Sequence, residues 1–207
     1  MIKEMYNNYK IELSKKNNIL MLVLVVLIIG LIFGSIYITI LSTEQKTNVL
    51  NEVTSYFKNI QKISFDDKII IFKNSLLSNL IYVVSMWLLG ISIIGIPIVF
   101  IMIFFKSFIA GFSVSSIFSK YGFKGIIKCV LYVFPSNILM ILFIIFLSIY
   151  SILISSRISK TVIKKENINF KNFMGRYLFI LVIGILVCIL CAAYDAFIEP
   201  MIYGLVL

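Results

Sequence analysis

The chain has 207 residues, of which 61% are hydrophobic and 14% charged, with a mean hydropathy of +1.07 and a net charge of +10. That apolar content exceeds the roughly one half typical of soluble domains and excludes a water-soluble fold. The charged residues cluster between long apolar runs, so the basic excess reads as membrane orientation and headgroup contact rather than nucleic-acid binding.

In chain order, the first apolar run covers residues 19–41 and follows Lys10, Lys15 and Lys16. It is longer than the apolar core of a secretion signal and lacks a small-residue cleavage site after it, which predicts a retained first span. Gly30 and Gly34 within it have the G-x-x-x-G spacing that allows close helix approach, although chance spacing in a span rich in small residues would look the same.

Residues 42–69 form the one sizeable polar segment. Val49, Leu50, Val53, Tyr56, Phe57, Ile60 and Ile63 recur there at steps of three or four, which predicts an amphipathic helix. Ser42 and Gln45 have capping-box spacing at its start. Two readings of this helix stand side by side: it lies on the outer leaflet, or it docks another protein through Val53, Phe57 and Ile60.

From Leu76 to Phe105 the chain carries no charge. At 1.5 Å per residue this is too long for one upright crossing of a core about 30 Å thick. The break is expected between Gly90 and Pro97, with Gly95 inside it and Pro97 in the first turn of the next helix. The second and third spans are then residues 70–93 and 97–119, and Lys106 falls inside the membrane. Ending the second span at Lys106 instead would leave only Ser107 to Ser119 for the third, too few to cross.

A basic turn with Lys120, Lys124 and Lys128 precedes a fourth span at 129–155, interrupted by Pro135. A second basic segment holds Arg157, Lys160, Lys164, Lys165, Lys171 and Arg176, and the last span is 177–198. The expected fold is therefore an all-α polytopic membrane protein, a single membrane domain of about five spans. With the N-terminus inside, ten Lys and Arg lie in inner segments against eight outside, and the first outer loop also holds Glu44, Glu52, Asp66 and Asp67. The expected orientation is N-terminus cytoplasmic and C-terminus extracytoplasmic.

Catalytic patterns are not evident. The chain has no His, no nucleophile elbow and no phosphate-binding loop with its Lys. Cys188 and Cys191 form a C-x-x-C, but no second pair completes a metal site, and they read, with Cys129, as small buried side chains. No enzyme activity and no cofactor are expected. Two intramembrane charges stand out, Lys106 and Asp195. Lys106 lies about 14 Å above the inner end of its span and Asp195 about 27 Å above the inner end of its own, which argues against a direct pair. Lys106 either snorkels to headgroups or makes a contact within the bundle or with a partner span. Asp195 and Glu199 share a helix face near the end of the last span and read as interface anchors.

Five blocks in order, Trp87-Leu-Leu-Gly-Ile-Ser-Ile-Ile-Gly-Ile-Pro97, Phe105-Lys-Ser-Phe-Ile-Ala-Gly-Phe112, Tyr121-Gly-Phe-Lys-Gly125, Phe134-Pro-Ser-Asn137 and Asp195-Ala-Phe-Ile-Glu-Pro200, give the chain a family likeness. Over essentially its whole length it resembles the stage II sporulation protein M family. Ser107 stands where that family usually has Gly, and Ser136 where it often has His. The resemblance implies a membrane scaffold in the mother-cell membrane. It would act with two extracytoplasmic hydrolases, stage II sporulation proteins D and P, in septal peptidoglycan thinning and engulfment. Structural or interaction roles would then fall on Trp87, Gly90, Gly95, Pro97, Lys106, Gly111, Pro135, Asn137, Asp195 and Pro200, with Val53, Phe57 and Ile60 on the outer helix. An alternative is a membrane subunit of an ATP-driven transporter or export complex.

Overall fold

The computed structural model describes residues 2–60, 63–92, 94–164 and 170–206. Ile93 of the expected break and Lys165 of the second basic segment lie outside them. All the regular elements described are helical: α1 (Ile2–Ile40), α2 (Thr43–Asn59), α3 (Phe65–Ile91), α4 (Gly95–Tyr121), α5 (Phe123–Lys128), α6 (Phe134–Lys164), α7 (Phe170–Ala193) and α8 (Glu199–Val206). Two π-helical turns are inserted, Cys129–Val133 before α6 and Tyr194–Ile198 between α7 and α8. Five helical stretches are long and apolar enough to cross a membrane: Lys16–Ile40, Phe65–Ile91, Gly95–Tyr121, Phe134–Ser159 and Tyr177–Ile202. The protein is an all-α polytopic membrane protein.

The long uncharged run divides at Ser92, whose backbone is extended and whose carbonyl accepts from Gly95 at 3.2 Å. Pro97 sits in the first turn of α4, where a missing N–H leaves no helical bond unmade. Gly95 closes this tight turn, since a Cβ there would lie 1.7 Å from the Leu89 carbonyl oxygen. At the far end of α4, Gly122 takes φ 59, the left-handed conformation that lets the chain reverse directly into α5.

With no apolar solvent difference between lipid and Leu, spans associate through close packing and hydrogen bonds, and α1 and α4 show how. A Cβ on Gly34 would meet the Phe108 carbonyl oxygen at 2.0 Å, and one on Gly111 would meet the Leu31 carbonyl oxygen at 2.3 Å. Gly30 likewise faces Ser107 and the Phe104 carbonyl. The two backbones thus touch through reciprocal small residues, and G-x-x-x-G here is a packing seam. Hydroxyls reinforce it: Ser115 Oγ donates to the Ser35 carbonyl at 2.8 Å, and Ser107 satisfies its own hydroxyl on Ile103 O at 2.8 Å.

The core runs between α1, α3, α4, α6 and α7 around Val23, Val83, Met86, Val99, Met140, Leu147 and Cys188. At its α3–α4 hairpin end, Trp87 stacks on Tyr177 with ring centroids 5.0 Å apart, and the indole N–H donates to the Tyr177 carbonyl at 3.0 Å. The Tyr177 hydroxyl returns a bond to the Trp87 carbonyl at 2.7 Å and lies 2.9 Å from Ser151 Oγ, directly over Gly90. Tyr177→Phe removes that donor from a buried site. It should cost about 0.6–2 kcal/mol, read as a lower melting temperature in detergent, and an unchanged melting temperature would show the knot to be incidental.

Candidate functional site

The outer helix α2 starts at a complete capping box, with Gln45 N–H donating to Ser42 Oγ at 3.3 Å and Ser42 N–H to Gln45 Oε1 at 3.2 Å. Its apolar stripe does not face outward. Phe57 and Ile60 are 2% and 4% exposed, packed on Ile117 of α4 and Cys129 of the first π turn, with Val53 and Ile63 at the margin. Lys128 Nζ lies 4.7 Å from the Phe57 ring centroid. A face that would have served to dock a second protein is therefore consumed within the chain, because α4 and the π turn present an apolar patch directly beneath it. Of the three residues expected on a docking surface, Phe57 and Ile60 are buried and hold α2 on the bundle, whereas Val53 is half-buried at its edge.

Tyr56, on the flank of the same helix, keeps its ring half exposed and turns its hydroxyl inward to donate to Glu199 Oε1 at 2.6 Å. Burial of that hydroxyl, and after it the negative charge of Glu199, raise the phenol far above its ordinary pKa, so it stays a donor. Glu199 is only 3% exposed. With Asp195 four residues earlier it shares one side of the helix, as the spacing predicts, and that side turns into the protein, where Glu199 lies under α2 on Tyr56.

Tyr56 and Glu199 stand at one end of a chamber of about 480 Å³. Asp195 also lines it and accepts from Ser75 Oγ at 2.6 Å. Asn79, one turn further along α3, donates to Ser75 Oγ at 3.4 Å and accepts from Lys106 Nζ at 3.4 Å. Lys106 also lies over the Tyr82 ring, 5.5 Å from its centroid, and Tyr82 in turn donates to the Met102 carbonyl. The polar string runs Lys106, Asn79, Ser75, Asp195, and among the described residues no ion pair closes it directly. Asn79 and Ser75, four residues apart on α3, bridge the two charges.

The back wall comes from α6. Asn137 donates to the Val133 carbonyl, the last of the π turn, at 2.9 Å, and Ser136 lies beside it. Pro135, the second residue of α6, lies inside a helical run that continues unbroken from Phe123, so its missing N–H removes one backbone bond from that run. The Tyr194 hydroxyl bonds the Leu131 carbonyl at 2.8 Å, tying one π turn to the other. Asn74 and Ser78 line the chamber from α3 while remaining exposed, so it reaches the molecular surface beside that helix. Pro200, at the start of α8, is half-buried next to Glu199.

Of the residues singled out from sequence, Lys106, Asn137 and Asp195 meet in this chamber. Trp87, Gly90, Gly95 and Pro97 gather at the opposite end of the bundle, and Gly111 belongs to the α1–α4 seam. The α3 wall was missed. Its signal was available, for Asn74, Ser75, Ser78, Asn79 and Tyr82 form a polar stripe at helical spacing along an otherwise apolar span. Cys129, Cys188 and Cys191 are buried free thiols, and Cys191 Sγ contacts the Ser136 carbonyl at 3.4 Å. Among the described residues, no three His, Cys, Asp or Glu converge as metal ligands.

A membrane bundle whose polar chamber is walled by three of the five segments that carry the family likeness, those of Lys106, Asn137 and Asp195, is thus in place. No curated protein and no solved structure matches the chain. A family model, Stage II sporulation protein M, matches residues 23–201, which reaches into all five spans and takes in α2 and the chamber; the chain belongs to this sporulation-protein family of multi-pass membrane proteins.

Proposed function

We propose that the protein is a membrane scaffold for extracytoplasmic peptidoglycan hydrolases, of the kind of stage II sporulation proteins D and P, in septal thinning and engulfment during endospore formation. The observation that carries this reading is the family match over residues 23–201. In it the chain lies in the mother-cell membrane with its N-terminus cytoplasmic and its C-terminus extracytoplasmic, contributes no catalysis, and leaves bond cleavage to its partners. Because the apolar stripe of α2 is engaged internally, partners meet the polar outer face of this helix, where Asn51, Ser55, Lys58 and Asn59 are exposed. Deletion in the native host should arrest cells at engulfment, seen by membrane-dye microscopy, and the hydrolases should co-purify with the protein from detergent. Normal engulfment in the deletion strain would refute the role. Replacing Ser55 and Asn59 together by Arg should weaken co-purification without lowering the melting temperature, and an unaltered yield of hydrolase would move the partner surface elsewhere.

A second reading, a subunit of an ATP-driven transporter, draws support from a polar chamber between spans and from π turns beside it. Co-purification of a nucleotide-binding subunit, with function lost in a correctly assembled Lys106→Met variant, would favour it over the scaffold.

A further inference from the structure

The end of the chamber nearest α2 is rich in acceptors. Asp195 Oδ2 takes the Ser75 hydroxyl and Glu199 Oε1 the Tyr56 hydroxyl, which leaves the second oxygen of each carboxylate. Asn137 uses its amide N–H on the Val133 carbonyl, leaving Oδ1 as an acceptor. The Ser136 side chain is 8% exposed, lines the same chamber, and has no hydrogen-bond partner among the described residues. Buried polar groups are almost always hydrogen-bonded, and a carboxylate only accepts, so the complement of this end is a cation with several N–H donors. A primary ammonium offers three.

The deeper end has the opposite sign. Lys106 Nζ makes one long bond, 3.4 Å to Asn79, and otherwise meets the Tyr82 ring, so its positive charge and donor capacity remain for an anion. Asn79 and Ser75, the contacts of Lys106 and Asp195, are one helical turn apart, about 6 Å along α3. Negative and positive ends are thus separated by the length of a small zwitterion, in about 480 Å³ of space.

The geometry points to a binding site for a primary-ammonium zwitterion, its ammonium held by Asp195 and Glu199 and its anionic group directed to Lys106. Two sources carry this chemistry, the headgroup of an aminophospholipid and a free soluble zwitterion. In a phospholipid the phosphate lies nearer the hydrocarbon than the amine, the same order as Lys106 and the carboxylates along α3. Asn74 and Ser78, exposed on that helix, give such a headgroup a lateral approach from the leaflet on the α2 side. Neither the scaffold reading nor the transport reading is needed for this inference.

The test uses the full chain in mixed micelles with equal amounts of phosphatidylethanolamine, phosphatidylcholine and phosphatidylglycerol, with bound lipid read by native mass spectrometry. Phosphatidylcholine keeps the charge but has no N–H donors. The wild type should retain phosphatidylethanolamine over phosphatidylcholine by about tenfold, which corresponds to about 1.4 kcal/mol. The isosteric pair Asp195→Asn with Glu199→Gln, and separately Lys106→Met, should each bring that ratio below about twofold at unchanged melting temperature. Free phosphoethanolamine, titrated in parallel by calorimetry into protein held in phosphatidylcholine nanodiscs, assigns the source: binding there that both variants lose shows that the soluble zwitterion suffices, whereas lipid retention without it shows that the acyl chains are required. Equal retention of the three lipids with no calorimetric signal, a preference for phosphatidylglycerol, or a phosphatidylethanolamine preference that survives in both variants would overturn the proposal.

Discussion

Gly34→Leu should unseat the first span. The Cβ alone would lie 2.0 Å from the Phe108 carbonyl oxygen and 2.8 Å from its carbonyl carbon, and both are backbone atoms that no rotamer change can move. Relief requires α1 to withdraw from α4 along its length, which also separates Gly30 from Ser107 and Gly111 from the Leu31 carbonyl. The cost should reach or pass the upper end of the roughly 1–3 kcal/mol usual for overpacking, because the overlap is with main chain. Gly34→Ala should show most of the effect, since it already places the offending atom. The readout is the melting temperature in mild detergent together with protease sensitivity of the α1–α2 connection. A Gly34→Leu protein with wild-type melting behaviour would mean that α1 and α4 do not touch in this register.

Phe57→Ala should destabilise the protein by about 3–5 kcal/mol, because it empties a nearly fully buried aromatic site between α2, Ile117 and Cys129. The same loss on the facing helix is the informative comparison. Ile117→Ala should cost about 2–5 kcal/mol, and the double variant should cost less than the sum, since both side chains line one cavity. Strict additivity, or a Phe57→Ala protein of full stability that has lost only its partners, would restore the docking surface that the sequence suggests. Val53→Ala, at the edge of this cluster, should cost much less.

The stripe on α2 shows where sequence reading stops. Its periodicity and its cap are local, set by side-chain spacing on a helix and by Ser42 and Gln45, and they are legible without a fold. An apolar stripe states only that something apolar covers it. Whether that is lipid, a partner or the chain's own α4 depends on residues some sixty positions away, and no local pattern carries that information. The same holds for Asp195 and Glu199. Helical spacing puts both on one face, and both line the chamber, but that this face turns inward, with Glu199 under Tyr56, is set by how the last span packs on α2 and α3.

By itself the sequence determined the membrane class and the five apolar crossings. It also determined the break before Pro97 and the family likeness, because each follows from hydropathy, length and short blocks of residues. Tertiary structure alone decided that Gly34 packs on the Phe108 backbone and Gly111 on that of Leu31, and that α2 folds onto α4. It alone decided, too, that Lys106 and Asp195 share a chamber through Asn79 and Ser75. Depth along a span can be counted residue by residue, whereas the rotation of each helix about its axis is fixed only when all the spans pack, and rotation is what turns a polar side chain toward a chamber or toward lipid.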